Sequence, residues 1–230
     1  MLSQQPLFRR VVFVDWHGVM SRDPFWSSIR NSPRHPLRSR LEAVITHALS
    51  DHEQSARWML GQLSTKDIVS DIDQDTPQRY LPDFLMRRVA RDCARMRVDT
   101  GIVAALTELR ASATVVLATD NMDCFAQVFR DYAAPDVRRP RASQPTLANQ
   151  VTLFDDLLCS SEIGAMKASD PVGFFGSWLR DAGLGFADAI LIDDRGDNCE
   201  AFRRCGGRAV QWRIGDSPAI VLDQISLWAA

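Results

Sequence analysis

The chain has 230 residues, of which 46% are hydrophobic and 24% are charged, and its formal net charge is −2. This length and composition suit a globular protein, either one large domain or a domain with an insert. The weak net charge excludes a strong general attraction to nucleic acid or to membranes. No apolar run approaches the roughly 20 residues of a membrane helix, and the N-terminal stretch has no cleavage site, so we expect a cytoplasmic protein.

Five short apolar runs alternate along the chain with segments in which apolar residues recur at helical spacing. Runs rich in β-branched and aromatic residues predict strands, and the alternation of strands with helices indicates right-handed βαβ units and a parallel sheet. The predicted strands are residues 11–15, 114–118, 157–160, 189–193 and 208–212.

Residues from about 21 to 98 interrupt this alternation, because they hold helical patterns and no convincing strand. The sequence therefore predicts a core of residues 1–20 and 99–230, with a helical cap of residues 21–98 that closes over the site. Prolines in residues 133–150 predict a loop. The predicted cap helices are residues 37–49, 53–60, 65–71 and 82–96.

Polar side chains follow four of the predicted strands near their C-terminal ends. In chain order they are Asp15, Thr119, Asp120, Asn121, Lys167, Asp193 and Asp194. One such placement is weak evidence, since Asp and Asn often end strands. Four of them at the edge where open α/β sheets bind ligands predict a single functional site.

Phosphoryl transfer accounts for this combination of groups. A carboxylate such as Asp15 attacks a phosphate dianion only when charge is neutralised, which a Mg²⁺ ion held by Asp15 and Asp194 would do. Thr119 and Lys167 suit the binding of phosphoryl oxygens in the transition state. Lys167 also stands out because it and Lys66 are the only lysines in the chain. The expected product is an aspartyl phosphate that water hydrolyses.

In this order and spacing the motifs resemble those of the haloacid dehalogenase (HAD) superfamily. The matching segments are Asp15-x-His17-Gly18-Val19, Thr119-Asp120-Asn121, residues 160–167 ending in Lys167, and Ile192-Asp193-Asp194. The helical insert is similar to the C1-type cap of the subfamily that includes phosphoglycolate phosphatases and β-phosphoglucomutases. The resemblance spans nearly the whole chain, and it implies a Rossmann-like, three-layer α/β core with a parallel sheet.

The resemblance also implies a role for each residue. Asp15 would be the nucleophile, and Mg²⁺ would be bound by the Asp15 carboxylate, the backbone carbonyl of His17 and Asp194, with Asp193 supporting through water. The residues expected to bind phosphate are Thr119, Asp120, Asn121 and Lys167. For Asn121 a role in the turn is an equal alternative, and Asn198 is expected either to orient Asp194 or its loop, or to cap the next helix.

His17 departs from the family pattern, in which phosphatases and mutases carry a second aspartate that protonates the leaving group. Haloalkanoate dehalogenases also lack it, as do phosphonoacetaldehyde hydrolases, whose Asp-Trp-Ala-Gly start resembles residues 15–18. Histidine titrates near neutrality and can do the acid/base work of a phosphatase. Alternatively, beside Mg²⁺ and Lys167 it stays neutral and has little catalytic role, and the activity would then be slow or directed at a good leaving group.

The sequence leaves several functions open. We favour a Mg²⁺-dependent phosphatase that acts on a small phosphorylated metabolite; the alternatives are a hydrolase of C–X or C–P bonds and a degenerate binding protein. The adjacent Asp193 and Asp194 favour a cation over the carboxylate substrate of a dehalogenase. A phosphonatase needs a cap lysine for a Schiff base, whereas Lys66 is typical of an exposed helix start. The sequence does not determine the substrate or the oligomeric state.

Two tryptophans of the predicted cap, Trp26 and Trp58, are candidates for the cap side of the pocket. Large aromatic side chains are more often part of a hydrophobic core, so we predict that both pack inside the protein. The five cysteines are odd in number and include no CxxC pair, which indicates reduced thiols and neither a disulfide framework nor a zinc site.

Overall fold

A parallel sheet of five strands lies at the centre of the protein in the computed structural model, which describes residues 10–70, 72, 81–139, 143–217, 219 and 223–225. The strands are β1 (Val11–Val14), β2 (Thr114–Thr119), β3 (Asp156–Cys159), β4 (Ala189–Asp193) and β5 (Arg208–Gln211). They pair in the order β3-β2-β1-β4-β5, and every neighbouring pair is parallel. The predicted parallel sheet is confirmed, and each predicted strand end lies within one residue of the observed one.

Both faces of the sheet are covered, which explains why the central strands are continuous apolar runs. Strands β1, β2 and β4 are buried along their whole length. Because successive side chains of a strand point to opposite faces, Val12 and Val14 pack into one core cluster and Val11 and Phe13 into another. The three-layer α/β architecture predicted from the motifs is therefore confirmed.

Strand β1 is the central strand of the sheet. Strands β2 and β3 lie on one side of it, and strands β4 and β5 lie on the other. In such sheets the crevice at the carboxyl ends of the strands, where the order reverses, is the usual ligand site. This topology brings together the segments that follow β1, β2 and β4, although they are far apart in sequence.

The helices of the described part of the chain surround this sheet. They are α1 (Ser27–Arg30), α2 (Arg38–Ser50), α3 (His52–Met59), α4 (Thr65–Ser70), α5 (Leu81–Ala94), α6 (Thr100–Leu109), α7 (Asp123–Ala133), α8 (Leu147–Gln150), α9 (Ser160–Ile163), α10 (Pro171–Asp181) and α11 (Gly196–Arg204). We call helices α1 to α5 the insert. No helix of the described ranges combines the length and the apolar character that a membrane span requires.

The four helices predicted for the insert are present, with ends within two residues of those expected, except that residue 71 lies outside the described residues. The prediction of a loop over residues 133–150 is wrong at its end, where α8 forms because Leu147 and Ala148 are buried in the core. Residues 140–142 of that segment also lie outside the described residues.

Trp26 and Trp58 pack inside the insert, as predicted. Both are fully buried, and each indole N–H is satisfied: Trp26 Nε1 donates to the Leu85 carbonyl at 2.9 Å and Trp58 Nε1 to Thr65 Oγ1 at 3.1 Å. Buried indoles usually find such partners. Neither tryptophan lines the cavity described below. The five cysteines are free thiols, and four of them are buried.

Candidate active site

Asp15 lies immediately after β1, and its backbone N–H still donates to the Ile192 carbonyl of β4 at 2.9 Å. A tight turn follows, in which Gly18 has φ +86° and donates its N–H to the Ser21 carbonyl at 2.8 Å. A Cβ atom on Gly18 would lie 2.3 Å from Asp194 Oδ2. Glycine is therefore required at this position for two reasons: the backbone is left-handed, and the Asp194 carboxylate approaches too closely for a side chain.

Lys167 is buried among acceptors at the centre of the site. Its Nζ lies 2.8 Å from Asp15 Oδ1 and 2.6 Å from Asp193 Oδ2, and it donates to the Ala118 carbonyl at 3.2 Å. These three contacts match the three donors of an ammonium group. The Lys167 backbone N–H donates to Asp120 Oδ1 at 3.0 Å, so the Asp120 carboxylate holds the loop that carries the lysine.

Asp193 is fully buried behind the cavity, and both oxygens of its carboxylate accept hydrogen bonds. Besides Lys167, it accepts the Arg195 backbone N–H at 2.9 Å, and Asn198 Nδ2 lies 3.1 Å from both of its oxygens. Asn198 therefore orients Asp193 and not the Asp194 side chain. Asp193 is thus suited to a supporting role, which leaves Asp15 and Asp194 with free oxygen atoms.

The carboxylates of Asp15, Asp193 and Asp194 each place one oxygen within 4.8 Å of the others. Carboxylate oxygens are the donors that Mg²⁺ prefers, and such ions use one or two protein carboxylates plus substrate oxygens. Three clustered acids face one lysine, so the site has excess negative charge. The donor set and the charge both fit Mg²⁺.

The pKa values of the cluster follow from burial and from this crowding of charge. Burial, reinforced by Asp193, raises the pKa of Asp15 to about 7 although Lys167 acts in the opposite direction. Burial and Asp193 likewise raise the pKa of Asp194. For Lys167, burial alone would lower the pKa, but Asp15, Asp193 and Asp120 outweigh it and raise the value. The lysine is therefore a fixed cation, and the carboxylates compete for protons or a metal ion.

A proton and a Mg²⁺ ion would compete for the Asp15 carboxylate, so Mg²⁺ affinity is expected to depend on pH. Below the Asp15 pKa of about 7, Mg²⁺ must displace that proton, so its affinity should fall by up to about tenfold per pH unit. Above it, the dependence should flatten. Titration calorimetry from pH 5.5 to 8.5, in buffers of different ionisation enthalpy, measures the affinity and the proton release. A constant affinity over this range would contradict the assignment of Asp15 as a ligand.

The loop after β2 carries the other residues that were predicted to bind phosphate. Asn121 Nδ2 lies 3.5 Å from Thr119 Oγ1, and Asn121 Oδ1 accepts the Met122 backbone N–H at 3.0 Å. Asp120 and Asn121 line the cavity, whereas Thr119 is almost fully buried and does not. The Asn121 amide group is therefore both a turn-stabilising acceptor and a donor at the cavity wall.

Ser160 joins this loop to the insert and was missed by sequence reasoning. It is fully buried, accepts the Asn121 backbone N–H at 2.9 Å and donates to the Met59 carbonyl at 2.7 Å. A second contact joins the insert to the start of α7, where the Thr65 N–H donates to Asp123 Oδ1 at 2.9 Å. The only sequence signal was position, since Ser160 follows β3 and Asp123 comes two residues after Asn121.

A cavity of about 540 Å³ opens above these groups. It is lined by Asp15, His17, Arg22, Pro24, Phe25, Arg30, Leu49, Met59, Asp120, Asn121, Met122, Lys167, Asp194, Arg195 and Asn198. The His17 side chain is exposed in this cavity, close to the nucleophile candidate. Lys66 is not part of the lining; it pairs with Asp83 at 2.9 Å on the surface, as expected for a structural residue.

Comparison with solved structures finds proteins of this fold at low sequence identity. A predicted HAD-like family hydrolase from Porphyromonas gingivalis is 17% identical, with a TM-score of 0.65 over 94% of this chain and 97% of that chain. A HAD family enzyme from Bacteroides thetaiotaomicron, in complex with magnesium and inorganic phosphate, is 14% identical, with a TM-score of 0.60 over 92% and 98%. A 2-haloacid dehalogenase from Pseudomonas syringae pv. Tomato DC3000 is 17% identical, with a TM-score of 0.58 over 88% and 86%.

No family model and no curated protein sequence matches the chain. The structural similarity nevertheless extends over nearly the whole length of this chain and of the proteins compared with it. The chain therefore has the fold of the HAD-like hydrolases, as its sequence motifs predicted.

Proposed function

We propose that the protein is a Mg²⁺-dependent hydrolase, a phosphatase that forms an aspartyl phosphate on Asp15 during turnover of a small phosphorylated metabolite. One observation carries the proposal: the Asp15 carboxylate lies 2.8 Å from the buried ammonium of Lys167, inside a cluster of acids that fits Mg²⁺. The Bacteroides thetaiotaomicron enzyme with magnesium and inorganic phosphate bound supports this combination of ligands on the same fold.

In this mechanism an Asp15 oxygen attacks phosphorus, a new O–P bond forms, and the bond from phosphorus to the ester oxygen breaks. Mg²⁺ held by Asp15 and Asp194 would neutralise charge on the phosphoryl oxygens and orient them. Lys167 keeps Asp15 in place and offsets the charge that shifts in the transition state. The Asn121 amide donates from the cavity wall, and Asp193 and Asp120 hold the lysine and its loop.

We assign the proton transfers to His17. Its side chain is exposed in the cavity, two residues after Asp15, on the turn that Gly18 makes possible. It would protonate the departing alkoxide and then take a proton from the water that attacks the aspartyl phosphate. An alkyl phosphate needs this proton because an alkoxide leaves poorly, whereas an aryl phosphate needs it less.

The substrate dependence of His17 variants tests this role. We expect the wild type to turn over both alkyl and aryl phosphates in a Mg²⁺-dependent manner. For His17→Ala we expect kcat on alkyl phosphates to fall by about 10² to 10⁴-fold, and kcat on aryl phosphates to fall by less. His17→Asp should restore alkyl phosphate turnover with an acid-shifted pH profile. An equal loss on both substrates would contradict the acid role of His17.

A second candidate function is the dehalogenation of 2-haloacids, which the 2-haloacid dehalogenase neighbour and the missing aspartate at position 17 favour. The three clustered carboxylates disfavour it because they would repel an anionic substrate unless a metal ion were bound. Release of halide from a 2-haloacid without Mg²⁺, or metal-independent hydrolysis of phosphate esters, would overturn the phosphatase proposal. Binding of Mg²⁺ and phosphate without any turnover would instead support a degenerate binding protein.

A further inference from the structure

Three arginines line the cavity in addition to the groups assigned to catalysis. They are Arg22, Arg30 and Arg195. Two of them are already neutralised by bidentate ion pairs: Arg30 binds Glu42 through Nε at 2.9 Å and Nη2 at 3.2 Å, and Arg195 binds Asp197. Their charge is therefore balanced within the protein.

Arg22 differs from the other two because, among the described residues, no carboxylate lies within ion-pair distance of it. One guanidinium nitrogen, Nη2, donates to the Ile214 carbonyl at 2.7 Å. A guanidinium group has five N–H donors, so most of them remain available for a ligand. Arg22 thus places an unneutralised positive charge at the cavity wall.

The position of Arg22 relative to the nucleophile is set by the same turn that follows Asp15. The Ile214 N–H donates to the Gly18 carbonyl at 3.0 Å, and the Ile214 carbonyl accepts from Arg22. The Gly18 N–H also binds the carbonyl of Ser21, the neighbour of Arg22. These contacts hold the Arg22 head group against the nucleophile turn, and a pre-placed charge orients a ligand at lower entropic cost.

Apart from these charged and polar groups, the cavity wall is largely apolar. Pro24, Phe25, Met59 and Met122 line it, together with Leu49, one of the few large apolar side chains exposed on the described surface. Apolar walls with a few placed polar groups are typical of small-molecule sites. A substrate that complements this lining has a short apolar body and carries charged groups that match the polar side chains.

We propose that Arg22 binds a second anionic group of the substrate, so that the enzyme acts on phosphate esters that carry a carboxylate or a further phosphate on a short carbon body. This inference rests on the phosphatase function proposed above. The acids clustered around Asp15 repel a second anion, whereas the unpaired guanidinium group of Arg22 can bind a carboxylate or phosphate in a bidentate manner. The charge distribution therefore orients the substrate.

Matched substrates test this assignment. Turnover is measured for a phosphorylated hydroxy acid, for its methyl ester, which removes one charge, and for the matching bisphosphate. We expect the wild type to prefer the acid over the ester by about 10 to 100-fold in kcat/KM. A still greater preference for the bisphosphate would identify the second anion as phosphate. If neither the acid nor the bisphosphate is preferred over the methyl ester, the inference is overturned.

Arginine variants show whether Arg22 is the group responsible. In Arg22→Met the preference for the acid should fall towards one, and Arg22→Lys should keep part of it because the charge remains. Arg30→Met is the matched control: Arg30 lines the same cavity but is neutralised by Glu42, so the preference should persist. Equal loss in Arg22→Met and Arg30→Met would overturn the assignment.

A binding measurement separates this inference from the phosphatase proposal. Thermal stabilisation of the protein by a phosphonocarboxylic acid, with Mg²⁺ present, is compared with that by the matching alkylphosphonate. Stronger stabilisation by the acid, lost in Arg22→Met, would support the anion site even if no phosphate ester is turned over. Equal stabilisation by both compounds would overturn it, while turnover of phosphate esters would leave the phosphatase proposal standing.

Discussion

The Asp15→Asn variant should lose turnover of an aryl phosphate by a factor on the order of 10⁴ to 10⁶, because an amide oxygen cannot replace the attacking carboxylate. Steady-state kinetics with saturating Mg²⁺ measures this loss. The matched control is Asp181→Asn, since Asp181 is an exposed acid at the end of α10. Activity of Asp15→Asn close to that of the control would show that Asp15 is not the nucleophile.

The same variant should be more stable than the wild type in the absence of metal at pH 8. The pKa of Asp15 in the folded state, about 7, is above the ordinary aspartate value of 3.8, so ionisation of this group destabilises the fold progressively as pH rises through that interval. Asparagine removes this cost. We expect a gain on the order of 1 kcal/mol, or about 2 to 4 °C in Tm. The gain should shrink as the pH falls and disappear well below 3.8, where the carboxyl group is protonated in both states.

The Lys167→Met variant is expected to lose both activity and stability. Its ammonium lies between Asp15 at 2.8 Å and Asp193 at 2.6 Å, so its removal leaves two buried carboxyl groups without a cation, which costs about 3 to 5 kcal/mol. Asp15→Asn differs because Lys167 keeps its ion pair with Asp193 in that variant. Chemical denaturation at pH 8 measures this loss. Lys66→Met is a matched control, because it replaces the other lysine, whose ion pair with Asp83 is exposed, and it should leave stability nearly unchanged.

Two conditions should partly rescue the Lys167→Met protein. Lowering the pH to 6 protonates the acids that have lost their cation, and Mg²⁺ places another positive charge in the cluster. Either condition should therefore raise the denaturant concentration at the unfolding midpoint by more for Lys167→Met than for Lys66→Met. Equal stability of the two variants at pH 8 would contradict the ion-pair arrangement seen around Lys167.

The fold was predictable because its signals are local. A strand buried on both faces of a parallel sheet must be apolar along its length, and such runs, separated by helical periodicity, occur at β1, β2 and β4. Helix α1 was not predicted because it has only four residues, and α8 was missed because prolines precede it. Short helices carry too little periodicity to be recognised.

The candidate site was predictable in its residue types but only partly in their contacts. Asp15, Lys167 and Asp194 do come together, as their positions after strands indicated. The Asp120 carboxylate holds the Lys167 backbone, and Thr119 lies beneath the cavity wall, neither of which spacing could show. These contacts depend on how the loops turn after each strand.

The sequence by itself determined the sheet, the order of the reactive groups along the chain and the departure from the family pattern at His17. Each of these is a local feature that a short stretch of sequence contains. Only the tertiary structure decided their partners. Ser160 contacts Met59 across 101 positions, and Arg22 contacts Ile214 across 192. Such contacts arise when loops from distant strands meet at one edge of the sheet, where side-chain direction depends on the loop path and not on neighbouring residues.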